Sequence, residues 1–180
     1  MQRIGANRRR RIIIEIAFLV LLLALIAIDQ LTKYHFSHTL NMYEIQPVIK
    51  DFFYFSYTVN TGAAWSFLSG VPWAQTFFKI LTAFALVIFV LLYIYSLKKG
   101  YKWLKVGLIF IISGTIGNFI DRLCIDGVID FIGFTFGKYN FPVFNLADAF
   151  LVVGVIMLII QFLFFDKNAV FKRNDASKNV

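Results

Sequence analysis

Four long apolar runs constrain the fold of this chain more than any other feature. They cover about residues 12–31, 77–97, 103–120 and 147–165, with only isolated charged or polar side chains inside them. A helix rises about 1.5 Å per residue, so a run of about 20 residues crosses a hydrocarbon core about 30 Å thick. Of the 180 residues, 59% are hydrophobic and only 16% are charged, which argues against a soluble domain. We therefore predict a mostly α-helical membrane protein with four transmembrane helices.

The positions of the basic residues predict the orientation of these helices. Thirteen Lys and Arg residues lie in the N-terminal segment, around the junction of the second and third runs, and in the tail, and five lie elsewhere. Because cytoplasmic segments carry the excess of basic residues, we expect both termini in the cytoplasm and residues 32–75 and 121–146 outside. This placement accounts for the formal charge of +8 without a nucleic-acid partner, and we expect none.

The first apolar run has a second interpretation, because a basic start followed by an apolar run is also typical of a secretory signal peptide. No small-x-small cleavage site follows Ile28, so a retained first helix is the better prediction. We expect residues 1–180 to form a single integral membrane domain whose polar tail, residues 166–180, is disordered.

The outer segments contain signals for strands. Residues 49–59 are rich in aromatic and β-branched side chains, which predicts one or two strands, and residues 127–136 with a turn at 137–140 predict a second hairpin. A small extracytoplasmic sheet with many aromatic residues suits the membrane surface. The alternative is a loop with membrane-anchoring aromatic residues.

Small and polar residues share one face of the third helix. Gly114, Gly117, Asn118 and Asp121 have i, i+3, i+4 and i+7 spacing, and Ser113 with Gly117 has the small-xxx-small spacing of close helix contacts. Helix packing explains the glycines. It does not explain Asn118 or Asp121, because polar groups near a membrane are costly and usually face an interior or a wet cavity.

The directions of the helices place two aspartates at the same depth. The third helix runs outward and ends near Asp121, and the fourth runs inward from near Asp148. Each has a structural alternative, since Asn145 can cap the fourth helix with Asp148 as part of a capping box, and Arg122 can offset the charge of Asp121. This pattern leaves three functions open: a peptidase, a transporter or channel with a polar path, and a structural assembly factor.

Other chemistries have weaker support. The chain has no His-Glu-x-x-His sequence, and His35 and His38 lack a further ligand set, so we expect no metal. Neither Ser66 nor Ser69 has an evident paired base, apart from Lys79. No cofactor is expected.

Four blocks of sequence, taken in order, resemble the lipoprotein signal peptidase (signal peptidase II) family. The blocks are residues 29–33 (Asp-Gln-Leu-Thr-Lys), residues 59–68, residues 117–122 continuing to 127–131, and residues 141–148. Trp65 stands where phenylalanine is usual in this family. That departure puts lipid or signal-peptide preference in doubt, and not the chemistry.

The resemblance implies an aspartic endopeptidase of the bacterial cytoplasmic membrane, with its active site at the outer face. Its substrates are prolipoproteins that carry a diacylglyceryl group on a cysteine, and the cut falls just before that cysteine. The catalytic dyad would be Asp121 and Asp148. The helix termini favour an ionised Asp148 and a protonated Asp121. The cyclic peptide globomycin should inhibit the protein, which we expect to be a monomer in contact with membrane lipids.

The resemblance also implies roles for other residues. Positions associated with binding substrate or ordering the site are Asn60, Gly62, Ala63, Asn118, Arg122, Asn145 and Ala147. Expected structural or supporting residues are Asp29, Lys33, Asp130 and Trp65. From the residues themselves, Asp29 and Lys33 are four apart near the end of the first helix, which predicts a favourable pair at the membrane interface.

Overall fold

The computed structural model describes residues 2–62, 68, 70–99 and 102–165. Two of the expected site residues, Ala63 and Trp65, lie outside the described residues, as does the tail predicted for 166–180.

The four predicted helices are present, and each is long and apolar enough to cross a membrane. They are α1 (Gln2–Thr39), α2 (Ala74–Lys99), α3 (Lys102–Ile125) and α4 (Leu146–Ile160), which continues as a π-helical turn over Gln161–Phe165. In α3, 61% of the most apolar window is buried inside the protein, against 6–17% in the other three. The third helix is therefore the core of the bundle, and the other three present wide apolar faces to lipid.

Close contact between α3 and α4 depends on the small residues that the sequence placed on α3. A Cβ added to Gly114 would lie 2.3 Å from the carbonyl oxygen of Ala147 in α4, and one added to Gly154 would lie 2.6 Å from the carbonyl oxygen of Gly107. These backbones are close enough to exclude any larger side chain. Such contacts hold helices together where lipid removes the hydrophobic drive for association.

Helix α1 continues beyond Leu31 to Thr39. Its hydroxyl side chains bond to the preceding turn, with Thr32 Oγ1 donating to Ile28 O at 2.9 Å and Thr39 Oγ1 donating to His35 O at 2.9 Å. Phe36 packs against the rings of Phe55 and Phe131, which belong to the sheet described in the next paragraph. This contact with the sheet stabilises a segment whose polar sequence did not predict a helix.

The predicted strands form one antiparallel sheet in the order β1-β2-β3-β4. Its strands are β1 (Ile45–Ile49), β2 (Phe53–Asn60), β3 (Val128–Phe136) and β4 (Tyr139–Phe144). The ring of Phe36 lies 4.5 Å from that of Phe55 in β2 and 4.6 Å from that of Phe131 in β3, so the sheet packs on the last turns of α1. We call this the sheet end of the bundle; α3 ends there and α4 begins there.

Candidate active site

Buried polar side chains from α1, α3, α4 and the sheet meet at the sheet end of the bundle. All of the following are at most 6% exposed: Asp29, Lys33, Asn118, Asp121, Asp130 and Asn145. A buried charge is costly unless it is paired, and a buried polar group unless it is hydrogen-bonded. The partners of each group therefore indicate what this cluster does.

Lys33 is the cation of this cluster, and only 1% of it is exposed. Its ammonium group lies 2.9 Å from Asp29 Oδ2 and 2.9 Å from Asp121 Oδ2, and it donates to Asn118 Oδ1 at 2.9 Å. The predicted pairing of Asp29 with Lys33 is present. The prediction of an anchor at the membrane interface is wrong, because both side chains are buried between helices and their charges balance inside the protein.

The carboxylate of Asp121 is fully engaged by donors. Besides Lys33, it accepts a hydrogen bond from Gln30 Nε2 at 3.1 Å and one from the backbone N–H of Ile129 in β3 at 3.0 Å. These three donors hold the carboxylate at the end of α3, beside the start of β3.

Asp148 lies in the first turn of α4, where the alternative structural role is also present. Asn145 caps the helix: its side chain accepts from Asp148 N at 2.9 Å, and Asp148 Oδ2 accepts from Asn145 N at 3.2 Å. The other carboxylate oxygen accepts from Asn118 Nδ2 at 2.8 Å. This capping box leaves Asp148 partly exposed at the positive end of α4, which favours a negative charge there.

Asp29 completes the cap of α4 from a distant part of the chain. Its Oδ1 accepts the backbone N–H of Ala147 at 2.8 Å. The first N–H groups of a helix have no partner within the helix, so a buried carboxylate at this place stabilises the helix start. The Ala147 side chain is itself buried against Gly117, which explains why a small residue is needed there.

Asp130 in β3 is the second carboxylate beside Asp148. Its Oδ1 accepts from Asn145 Nδ2 at 2.7 Å and its Oδ2 from Asn60 Nδ2 at 3.3 Å. Burial, and next the negative charge of Asp148, raise the pKa of Asp130 to about 7, although both amides and the charge of Lys33 act in the opposite direction. A buried carboxyl group with a raised pKa is more frequent in functional sites than elsewhere in a protein.

Arg122 connects the three carboxylates electrostatically. Its guanidinium interacts with the charges of Asp148, Asp130 and Asp121, and it lies 5.6 Å from the centre of the Phe78 ring in α2. The side chain is half-buried, and its Nη1 group donates to the carbonyl oxygen of Asn118 at 3.3 Å.

Asn60 is the last residue of β2 and joins this strand to the cluster. Its Oδ1 accepts from the backbone N–H of Gly62 at 2.9 Å, while its amide group contacts Asp130. This side chain therefore fixes the first residues of the segment that follows β2. The structure thus gathers every described residue of the expected site into one cluster.

Sequence reasoning assigned no role to Gln30. Its amide donates to Asp29, to the carbonyl oxygen of Gly117 and to Asp121, at 3.1–3.2 Å. The sequence signal for a role in the site is that Gln30 is a polar residue near the end of an apolar helix, between Asp29 and Lys33.

The other candidates lie apart from this cluster. His38 Nδ1 is 2.8 Å from the carbonyl oxygen of Tyr34 on an exposed turn of α1. Lys79 pairs with the exposed Asp126 at 2.6 Å, and Cys124 is exposed. Among the described residues no group of three or more His, Cys, Asp or Glu residues is suited to hold a metal ion.

Comparisons with known proteins agree with this arrangement. The family model for signal peptidase (SPase) II matches residues 21–164. The chain is 41% identical over 146 residues to the lipoprotein signal peptidase of Bacillus subtilis (strain 168), a match that covers 81% of this chain and 92% of that protein. It is 40% identical over 144 residues to the lipoprotein signal peptidase of Listeria welshimeri, covering 79% and 90%. A solved bacterial membrane enzyme with 35% identity has a TM-score of 0.71 and covers 82% of this chain and 87% of its own. The chain belongs to the signal peptidase II family.

Proposed function

We propose that this protein is a membrane endopeptidase that removes signal peptides from diacylglyceryl-modified prolipoproteins, cutting just before the lipidated cysteine. The observation that carries the chemical part of the proposal is the connection between the carboxyl groups of Asp121 and Asp148 through Asn118. The Nδ2 group of Asn118 donates to Asp148 Oδ1 at 2.8 Å, and its Oδ1 accepts from Lys33, whose ammonium group lies 2.9 Å from Asp121 Oδ2.

This is the pair that the family resemblance implies. Asp121 is held at the end of α3 by Lys33 and two further donors, and Asp148 is held at the start of α4 by Asn118 and Asn145. Asp130 in β3 accepts from the amides of Asn145 and Asn60, and its proposed role is to order the site.

The proposed reaction uses both carboxyl groups. The Asp148 carboxylate takes a proton from a water molecule, whose oxygen attacks the scissile carbonyl carbon, while Asp121 gives its proton to the carbonyl oxygen. The tetrahedral intermediate collapses when Asp148 gives the proton from water to the leaving amine and the former carbonyl oxygen returns its proton to Asp121, as the C–N bond breaks. General acid–base steps of this kind contribute about 10²–10⁴-fold each to rate. The two carboxyl groups share protons throughout, so the pair titrates as a unit.

The location of the cluster suits a lipid-anchored substrate. It lies at one end of the four helices, next to an aromatic-rich sheet, where a diacyl anchor would hold a cysteine at the membrane surface. With both termini in the cytoplasm, as the basic residues predict, this end faces the outside of the cytoplasmic membrane. Arg122 and Asn60 are both half-buried at the cluster, and their proposed role is to contact the substrate backbone. Globomycin is the expected inhibitor of this site.

The decisive experiment compares three single variants in liposomes with a diacylated prolipoprotein peptide. Asp121→Asn and Asp148→Asn should each lower kcat by at least about 100-fold while the protein stays folded. Asp130→Asn should keep measurable turnover, because Asp130 acts on the site through Asn145 and Asn60. Asp51→Asn, an exposed residue of the β1–β2 turn, is the matched control.

Two results would decide against this assignment. If Asp130→Asn abolishes turnover and Asp121→Asn leaves it measurable, then Asp121 is not the partner of Asp148. If all three variants cleave the peptide normally, the protein is not an aspartic peptidase.

A further inference from the structure

A crevice lies between α1 and α2 at the end of the bundle opposite the proposed active site. Both helices pack on α3, but in the described part of the chain they make few direct contacts with each other. The gap forms a cavity of about 230 Å³ lined by apolar side chains such as Phe18, Leu22, Ile109 and Ile112. An apolar cavity of about 150 Å³ already accommodates benzene, so this one has room for part of an acyl chain.

Polar side chains join three helices at the wall of the cavity. Glu15 in α1 forms an ion pair with Lys105 in α3, and it accepts a hydrogen bond from the hydroxyl of Tyr93 in α2 at 3.0 Å. These contacts join all three helices around the crevice. They also neutralise the one carboxylate there, so that it does not repel an anion that approaches along α1.

A basic groove leads into this crevice along the same face of α1. The groove has a volume of about 550 Å³ and is lined by Arg8, Arg11, Ile12, Glu15, Ile16 and Leu19. Glu15 and Leu19 also line the cavity, so the two spaces adjoin. Arg11 donates to the carbonyl oxygen of Leu97 near the end of α2 at 2.7 Å, which holds its guanidinium across the mouth of the crevice.

The dimensions of this site match one leaflet of a bilayer. From Arg11 to Leu22 the helix rises about 16 Å, at 1.5 Å per residue. Half of a hydrocarbon core of about 30 Å is about 15 Å. A phosphate at Arg8 and Arg11 would therefore have its acyl chain beside Leu19 and Leu22, at the depth of the cavity.

We infer that this crevice binds one anionic phospholipid, with its phosphate at Arg8 and Arg11 and one acyl chain between α1 and α2. Two arginines on one helix face favour a negatively charged headgroup, and basic pockets between transmembrane helices are suited to such lipids. A bound chain would fill the space that the two helices leave open. The site takes no part in the proposed cleavage reaction, and it does not depend on which aspartates perform it.

Binding can be measured by native mass spectrometry of the full chain, delipidated in detergent and titrated with phosphatidylglycerol or with phosphatidylcholine of the same acyl chains. The wild type should bind one phosphatidylglycerol in preference to phosphatidylcholine. The double variant Arg8→Gln/Arg11→Gln should bind it about 25-fold more weakly, since each basic residue near an anionic lipid contributes roughly fivefold.

The matched control is Arg9→Gln/Arg10→Gln, which removes the same charge from exposed residues that do not line the groove. It should change affinity by less than about threefold. Leu22→Trp, which fills the cavity, should also weaken binding while Arg8 and Arg11 stay in place. Equal losses in the two arginine double variants would show general charge attraction and overturn the proposal. Equal binding of the two lipids by the wild type would overturn it as well.

Discussion

Replacing Asp130 by asparagine should change the pH dependence of stability in a direction that the structure fixes. In the folded protein the pKa of Asp130 is raised from 3.8 to about 7, first by burial and second by the charge of Asp148. The unfolded chain releases this proton at lower pH than the folded one. Between these two values the folded state therefore binds more protons, and the free energy of unfolding falls as pH rises.

The size of this effect follows from the difference between 7 and 3.8, which corresponds to about 4 kcal/mol at 1.36 kcal/mol per unit. The contribution of Asp130 to the free energy of unfolding is fully present below about pH 4 and is lost by about pH 7. From pH 5 to pH 8 the wild type should lose about 3 kcal/mol that Asp130→Asn does not lose. For a chain of this size that is a difference in Tm of about 6–12 °C.

Thermal unfolding in detergent at pH 5 and at pH 8 measures this difference. Asp130→Asn should gain in Tm relative to the wild type as pH rises. Asp51→Asn, which changes an exposed carboxylate, should follow the wild type at both values. If the Tm difference between Asp130→Asn and the wild type is the same at pH 5 and pH 8, the folded protein does not raise the pKa of Asp130, and the electrostatic reasoning is refuted.

Two further predictions concern the core of the site and of the bundle. Lys33→Met leaves two buried carboxylates without their cation and should cost about 3–5 kcal/mol in unfolding free energy, whereas the exposed Lys50→Met should have little effect. Gly114→Ala places a Cβ 2.3 Å from the carbonyl oxygen of Ala147 and should force α3 and α4 apart. It should lower Tm more than Gly107→Ala, whose new Cβ has its nearest neighbours at 3.1 Å; equal losses would contradict the packing argument.

The helices could be predicted from the sequence because length and apolarity are sufficient in a membrane, where the backbone must satisfy its own hydrogen bonds. The ends of the helices could not be predicted in this way. Most residues from Thr32 to Thr39 are polar and carry no helix signal. They are helical because Phe36 packs on the sheet through Phe55 and Phe131. That contact joins segments far apart in sequence, so no local pattern could reveal it.

The members of the site could be predicted, but their pairing could not. Asn118 and Asn145 were expected in the site from the family resemblance, and both are hydrogen-bonded within the cluster. Which carboxylate faces Lys33 depends on how α1 packs beside α3, and spacing along the chain does not encode that geometry. The sequence therefore places Asp121 in the site by its helix position, and the tertiary contacts add that Lys33 lies against its carboxylate.

The charge balance of the cluster explains why one proton is retained there. The cluster contains four carboxyl groups and two basic side chains. The carboxyl groups are those of Asp29, Asp121, Asp130 and Asp148, and the basic side chains are Lys33 and Arg122. If every group were ionised, the formal charge would be four negative and two positive, a net charge of −2. Burial makes such an excess expensive, so the cluster lowers it by keeping a proton. That proton is held where no cation is in direct contact among the described residues, on the carboxyl group beside Asp148. Lys33 therefore supports the proposed chemistry without contacting the substrate, because its pairing with Asp29 and Asp121 holds the Asp121 carboxyl group in place.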